Sequence, residues 1–264
     1  MPQRPIRLFV SDLDGTLLPF DGDQPTVDRF STWWNALPLN DRPLLVYSSG
    51  RLYHDVLEVV PQVRLPPPDF VIGGVGTSIV DGAGRPVIGY RERFRDGWDR
   101  SLVHDVMVGI TGVQPQPARY HSPFKSSWFL HDADEAAVAR IRVALAEVEL
   151  RVRVIYSSRR DLDVLPEDAD KGRAVSWMAD HLHVSPEHVV VAGDTENDLA
   201  MFQVDGVRGI VVANATPGLL AGVRGLGVFR AKQIASDGVI EGLTAFGLGT
   251  PASRAARRMI RKPL

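Results

Sequence analysis

The 264-residue sequence contains no cysteine, which excludes disulfides and thiol chemistry from its fold and function. It has no apolar run of membrane-spanning length and no charged-then-apolar leader, so a cytoplasmic protein without a membrane partner is expected. An excess of either charge is missing too. The 30 basic residues stand against 32 acidic ones, for a formal net charge of −2, so no general field attracts nucleic acid and any anion must be recognised locally. Lysine is scarce: only Lys125, Lys171, Lys232 and Lys262 are lysine, and the other basic residues are arginine. Repeats and low-complexity tracts are absent. What is plentiful is hydrophobic side chain, 44% of residues, enough for the core of one large domain or two modest ones and too much for a disordered chain.

The N-terminal and C-terminal parts alternate short apolar runs with helical periodicity. Runs at 8–10, 44–47 and 70–74 each end in small or polar residues, with a helix predicted over 26–37, where Val27, Phe30 and Trp34 share a face, and another after Arg51. The rhythm returns after Lys171, with a helix over 172–182, a strand over 189–192, a helix over 197–202 and a strand over 209–212. Parallel strands with helical crossovers, an α/β fold of Rossmann type, are the economical reading. Between them the texture changes. Strands over 127–130 and 151–156 and helices over 98–110 and 135–148 suggest an inserted α+β unit, bordered by turn signals at Asp81-Gly82-Ala83-Gly84 and Pro166. The basic tail, with Arg254, Arg257, Arg258, Arg261 and Lys262, reads as a solvated terminal helix.

Four polar clusters punctuate the α/β parts. Asp12-Leu13-Asp14-Gly15-Thr16 follows the first apolar run, and on extended backbone residues two apart point the same way, so both acids can face one reaction centre. Tyr47-Ser48-Ser49-Gly50-Arg51 closes the second run, and small hydroxyls followed by glycine at a strand end can offer O–H and N–H groups to a phosphate. Lys171-Gly172 opens a helix, where the dipole favours anions; an ammonium there, in a chain that otherwise uses arginine, suggests a point charge aimed at a phosphoryl oxygen. Gly193-Asp194-Thr195-Glu196-Asn197-Asp198 follows another apolar strand. A cap needs only one of its acids, and three polar groups on one face are better explained by a metal and the groups that orient its ligands.

In this order the clusters resemble the four motifs of the haloacid dehalogenase superfamily of phosphohydrolases, and the resemblance spans nearly the whole chain. It implies that Asp12 is the nucleophile, Asp14 the general acid/base and Lys171 a catalytic cation. It implies further that Asp12, Asp194 and the Asp14 backbone carbonyl hold magnesium, that Ser49, Gly50, Lys171 and Asn197 contact the phosphoryl group or its surroundings, and that Asp198 orients the ligands from behind. A narrower resemblance rests on Asp161-Leu162-Asp163-Val164-Leu165-Pro166 leading to Lys171-Gly172, on Gly74-Val75-Gly76-Thr77 and on Lys125-Ser126-Ser127-Trp128. These look like sucrose-phosphate phosphatases, although Ser78 stands where that family often has glutamate. The resemblance implies a catalytic core from 1–80 and 167–264, a cap over 81–166 that sets specificity, and Lys125 as a contact to sugar hydroxyls.

The function expected is therefore a magnesium-dependent phosphatase acting through an aspartyl-phosphate, with sucrose 6-phosphate as first substrate. The alternatives are mannosylfructose phosphate, mannosyl-3-phosphoglycerate, phosphosugar transfer, or a non-catalytic module that binds sugar phosphate beside a glycosyltransferase. Asn214 and Asp237-Gly238 read as core-rim turns, and His181, His183 and His188 as a helix end and loop without a metal.

Overall fold

A computed structural model describes residues 4–157 and 159–249. The basic tail expected to be helical lies outside them. Strands β1 (Leu8–Ser11), β2 (Leu44–Ser48) and β3 (Phe70–Gly73) alternate with helices α1 (Gln24–Ala36) and α2 (Tyr53–Gln62), and β4 (Ser78–Asp81) returns antiparallel along β3. The chain then passes through α3 (Arg100–Val108), β5 (Val113–Pro115), β6 (Ser126–Leu130), α4 (Glu135–Glu147), β7 (Val152–Ser157) and β8 (Asp161–Pro166). It resumes the first pattern with α5 (Lys171–His181), β9 (Val189–Gly193), α6 (Leu199–Phe202), β10 (Arg208–Val211), α7 (Pro217–Gly222), β11 (Phe229–Arg230) and α8 (Ala235–Ala245).

The first and last groups form one seven-stranded sheet in the order β11-β10-β9-β1-β2-β3-β4, parallel except for β4. Its central strands β1, β2 and β9 are apolar up to the serines that end β1 and β2, because both faces are covered. Leu8 and Val10 of β1 enter a core with Val175 and Met178 of α5 and Met201 and Phe202 of α6. Phe9 points the other way, to Phe30 and Trp34 of α1 and to Val239 and Leu243 of α8. Helices therefore flank both faces, and the loops at the carboxyl ends of β9, β1 and β2 lie side by side.

The middle segment builds a separate antiparallel sheet, β5-β6-β8-β7, whose strands all fall within 113–166. Its own core joins the fully buried Trp128 to Val103 and Met107 of α3 and to Ile141 and Leu145 of α4. Leu165 instead packs into the first core, beside Tyr90 and Phe94. None of the helices among the described residues is long and apolar enough to cross a membrane.

Several boundaries differ from expectation for local reasons. Helix α1 starts two residues earlier than predicted, because Pro25 occupies its first turn, where the missing N–H costs nothing. The expected helix over 197–202 is a 3₁₀ turn at Glu196–Asp198 followed by α6, since Thr195 and Asp198 cap each other's backbone there. Strand β8 coincides with the Asp161 to Pro166 motif, whose Leu162 and Val164 face the insert core while Asp161 and Asp163 point away.

Candidate active site

The ends of three adjacent parallel strands place the candidate residues. Asp12 follows β1, Ser49 follows β2 and Asp194 follows β9, while Lys171 is the first residue of α5 and is buried. Lys171 Nζ donates to Asp12 Oδ1 at 2.6 Å, to Asp198 Oδ1 at 2.6 Å and to Asn197 Oδ1 at 3.1 Å. The lysine that is unfavourable for its helix dipole is thus held by two carboxylates. Asp198 is bonded through both oxygens: the second accepts from the backbone N–H groups of Asp194 and Thr195 at 3.0 and 3.1 Å.

Three buried carboxylates share one ammonium, and the electrostatics follow from that count. Burial raises the Asp12 pKa well above its ordinary value; Lys171 counters part of this, and Asp198 and Asp194 add to it. Burial and the charge of Asp198 push Asp194 up to about 7. Burial works against the Lys171 ammonium, yet the charges and hydrogen bonds of Asp12 and Asp198 more than offset it, so Lys171 stays charged above its usual range. The cluster is short of positive charge.

That shortage fits a divalent cation. Asp12, Asp194 and Asp198 each offer an oxygen within 4.8 Å of the others. Asp194 Oδ1 accepts from Thr16 Oγ1 at 2.7 Å, but its buried Oδ2 has no partner. Gly15, at φ +89°, leaves the room: a methyl group added there would stand 2.1 Å from that oxygen. Among the described residues nothing donates to the Asp14 carbonyl. These are hard oxygen donors, the set magnesium prefers.

Comparison with known proteins decides the family. A family model described as sucrose-6F-phosphate phosphohydrolase matches residues 5–247. The chain belongs to this family. It is 44% identical over 247 residues to a mannosylfructose-phosphate phosphatase of Agrobacterium fabrum, covering 93% of this chain and 98% of that protein. It is 31% identical to sucrose-phosphatase 1 of Nicotiana tabacum over 93% of this chain, and spans 60% of that longer protein. A solved Synechocystis sucrose-phosphatase in complex with sucrose and phosphate matches with a TM-score of 0.82 at 28% identity, covering 94% of this chain and 100% of that one. The sucrose-phosphatase branch of the haloacid dehalogenase hydrolases thus accounts for both the ordered motifs and the mixed α/β architecture.

Within this sucrose-phosphatase-like site, most residues singled out from the sequence converge. Asp12, Lys171, Asp194, Asn197 and Asp198 form one cluster. Ser49 Oγ accepts from the Arg51 N–H at 3.1 Å, while the Gly50 N–H has no acceptor among the described residues. The Asp14 carboxylate turns instead to Arg51, whose Nε and Nη2 grip its two oxygens at 2.8 and 2.7 Å, so only the Asp14 carbonyl is left for a metal. Lys125 stands apart, in the insert. It is buried, and its Nζ donates to Ser127 Oγ at 2.6 Å and to Asp163 Oδ1 at 2.5 Å, with its alkyl chain close to Gly74 of the core.

Thr16, Arg51, Ser127 and Asp163 lie inside the motifs read from the sequence but carried no role there, and Asn214 was taken for a rim turn. Asn214 Nδ2 donates to the Gly15 carbonyl at 2.8 Å and its Oδ1 accepts from the Ala235 N–H, pinning the loop that carries both acids. Asp237 and Gly238, expected in a turn, lie instead at the start of helix α8, where Asp237 pairs with Arg29. The three histidines do not converge: His181 stacks on Trp177, His188 bonds the Pro5 carbonyl and His183 occupies a left-handed turn.

Proposed function

We propose that this sugar-phosphate phosphatase hydrolyses the phosphate monoester of a fructose-containing disaccharide, with mannosylfructose phosphate and sucrose 6-phosphate as the first substrates to assay. The observation that carries the chemistry is Asp12, held 2.6 Å from a buried ammonium amid two further buried carboxylates. The two sugars come from the relatives' substrates, and the 44% identity over nearly all of the mannosylfructose-phosphate phosphatase favours including that one at the head of the list.

A phosphate dianion repels a carboxylate, so attack by Asp12 needs cations at the phosphoryl oxygens. Lys171 supplies one. Magnesium, held by Asp12, Asp194 and the Asp14 carbonyl, would supply the second by neutralising phosphoryl charge. Ser49 and the Gly50 N–H hold the remaining oxygens, and Asn197 and Asp198 keep the Lys171 ammonium in place. The Asp12 carboxylate attacks phosphorus, the bond from phosphorus to the sugar oxygen breaks, and an aspartyl-phosphate forms. Asp14 in its protonated form, with one oxygen released from Arg51, gives its proton to the departing oxygen, and the carboxylate so formed takes one from the water that cleaves the intermediate, a role typically contributing roughly 10² to 10⁴-fold. Arg51 fixes the orientation of Asp14.

We assign residues 81–166 as a cap over a core made of 1–80 and 167–264, with Lys125, Ser127 and Asp163 facing the sugar. A core able to hold any phosphate ester needs such contacts to discriminate among alcohols. A glycosyltransferase that makes the phosphorylated disaccharide is the proposed partner. Phosphate release from a panel of phosphosugars, with magnesium or with chelator, tests the reading. It predicts turnover that needs magnesium and prefers disaccharide phosphates by tenfold or more; equal rates on unrelated small phosphates would count against it.

A further inference from the structure

We propose that Phe20 is an apolar platform at the edge of the site, against which a sugar ring of the leaving alcohol packs. The inference rests on the function proposed above and concerns the same site. Phe20 is 76% exposed although its side chain is a large apolar group. A single exposed aromatic needs no explanation by itself; its placement does. A methyl group added to Gly15 would stand 2.7 Å from Phe20 Cε2 and 2.1 Å from Asp194 Oδ2, so the ring edge and the unpartnered carboxylate oxygen close on the same α-carbon. That α-carbon follows Asp14, the group assigned to protonate the departing oxygen.

The loop that carries the ring is fixed by backbone hydrogen bonds. Gly22 N–H donates to the Pro19 carbonyl at 3.0 Å, closing a turn around Phe20, and Gly15 N–H donates to the Leu18 carbonyl at 2.6 Å, folding the preceding segment back on itself. A phosphoryl group gains nothing from a phenyl ring. A hexose does, because it presents C–H groups between its hydroxyls, and an aromatic face removes that apolar surface from water. Asp14, Arg51 and the insert trio of Lys125, Ser127 and Asp163 can satisfy hydroxyls, which leaves the sugar's apolar surface for Phe20.

The test compares wild type, Phe20→Ala and Phe20→Tyr on the disaccharide phosphate that wild type turns over best, with inhibition by inorganic phosphate as the ringless control. Phe20→Ala raises KM about tenfold, equivalent to about 1.4 kcal/mol, with kcat within about twofold. Phe20→Tyr stays within about twofold of wild type, and phosphate inhibition is unchanged in both variants. An unaltered KM in a folded Phe20→Ala protein overturns the inference, as does an equal weakening of phosphate inhibition. Wild type that turns over no disaccharide phosphate refutes the functional reading as well. Turnover with an unaltered Phe20→Ala KM refutes the platform alone.

Discussion

Removing the Lys171 ammonium leaves Asp12, Asp194 and Asp198 facing one another without a protein cation. Lys171→Met should therefore abolish turnover and, in metal-free protein, cost about 3–5 kcal/mol in denaturant unfolding, because buried charges lose their counter-ion. Arg51→Ala should behave differently. Its ion pair with Asp14 is about 40% exposed on both sides, so stability should change by less than about 1 kcal/mol while kcat falls as Asp14 loses its orientation. A kcat equal to wild type would remove Arg51 from the account. At this scale the sequence was most legible where residue choice ran against a local rule. Lys171 stood out as a lysine in an arginine-rich chain, at the wrong end of a helix. Arg51 and Asn214 did not stand out, because each acts on a loop 37 or 199 residues away and nothing local marks such a pairing.

Single elements carry these residues, and their packing can be tested apart from the chemistry. Gly76, at φ +90°, lies against the start of α5: a methyl group added there would meet the Asp170 carbonyl at 2.3 Å. Gly76→Ala should lower the unfolding midpoint and reduce turnover together, since the backbone that must yield also positions Lys171. Trp128→Ala should cost about 3–5 kcal/mol in equilibrium unfolding, because that ring fills the centre of the insert's own core. Periodicity located the central strands and the long helices well. It failed for β4 and for the separate helices α7 and α8, where Gly73 to Gly76 mask a hairpin and glycines at 218, 222, 238 and 242 dilute the helical apolar stripe. Strand β8 was hidden for another reason, since its residues were already accounted for as a motif.

The whole molecule carries its charge imbalance into its stability. Asp12 and Asp194 both have carboxyl pKa values raised by burial and by neighbouring acids, Asp194 to about 7 from an ordinary 3.8. Between those two values these two groups hold more protons in the folded, metal-free protein than in the unfolded chain, so their contribution to stability falls as pH rises from about 4 through 7. Magnesium should oppose this by binding the ionised cluster. Its stabilising shift in unfolding midpoint should be larger at pH 8 than at pH 5.5. A shift independent of pH would place the metal elsewhere.

The central claim is that Asp12 forms the bond to phosphorus. Phosphate release by Asp12→Asn, measured with magnesium and a disaccharide phosphate that wild type hydrolyses, tests it most directly, provided circular dichroism shows the variant folded. The account predicts turnover reduced to background with the fold intact. Turnover by the folded variant at a rate near wild type would contradict it.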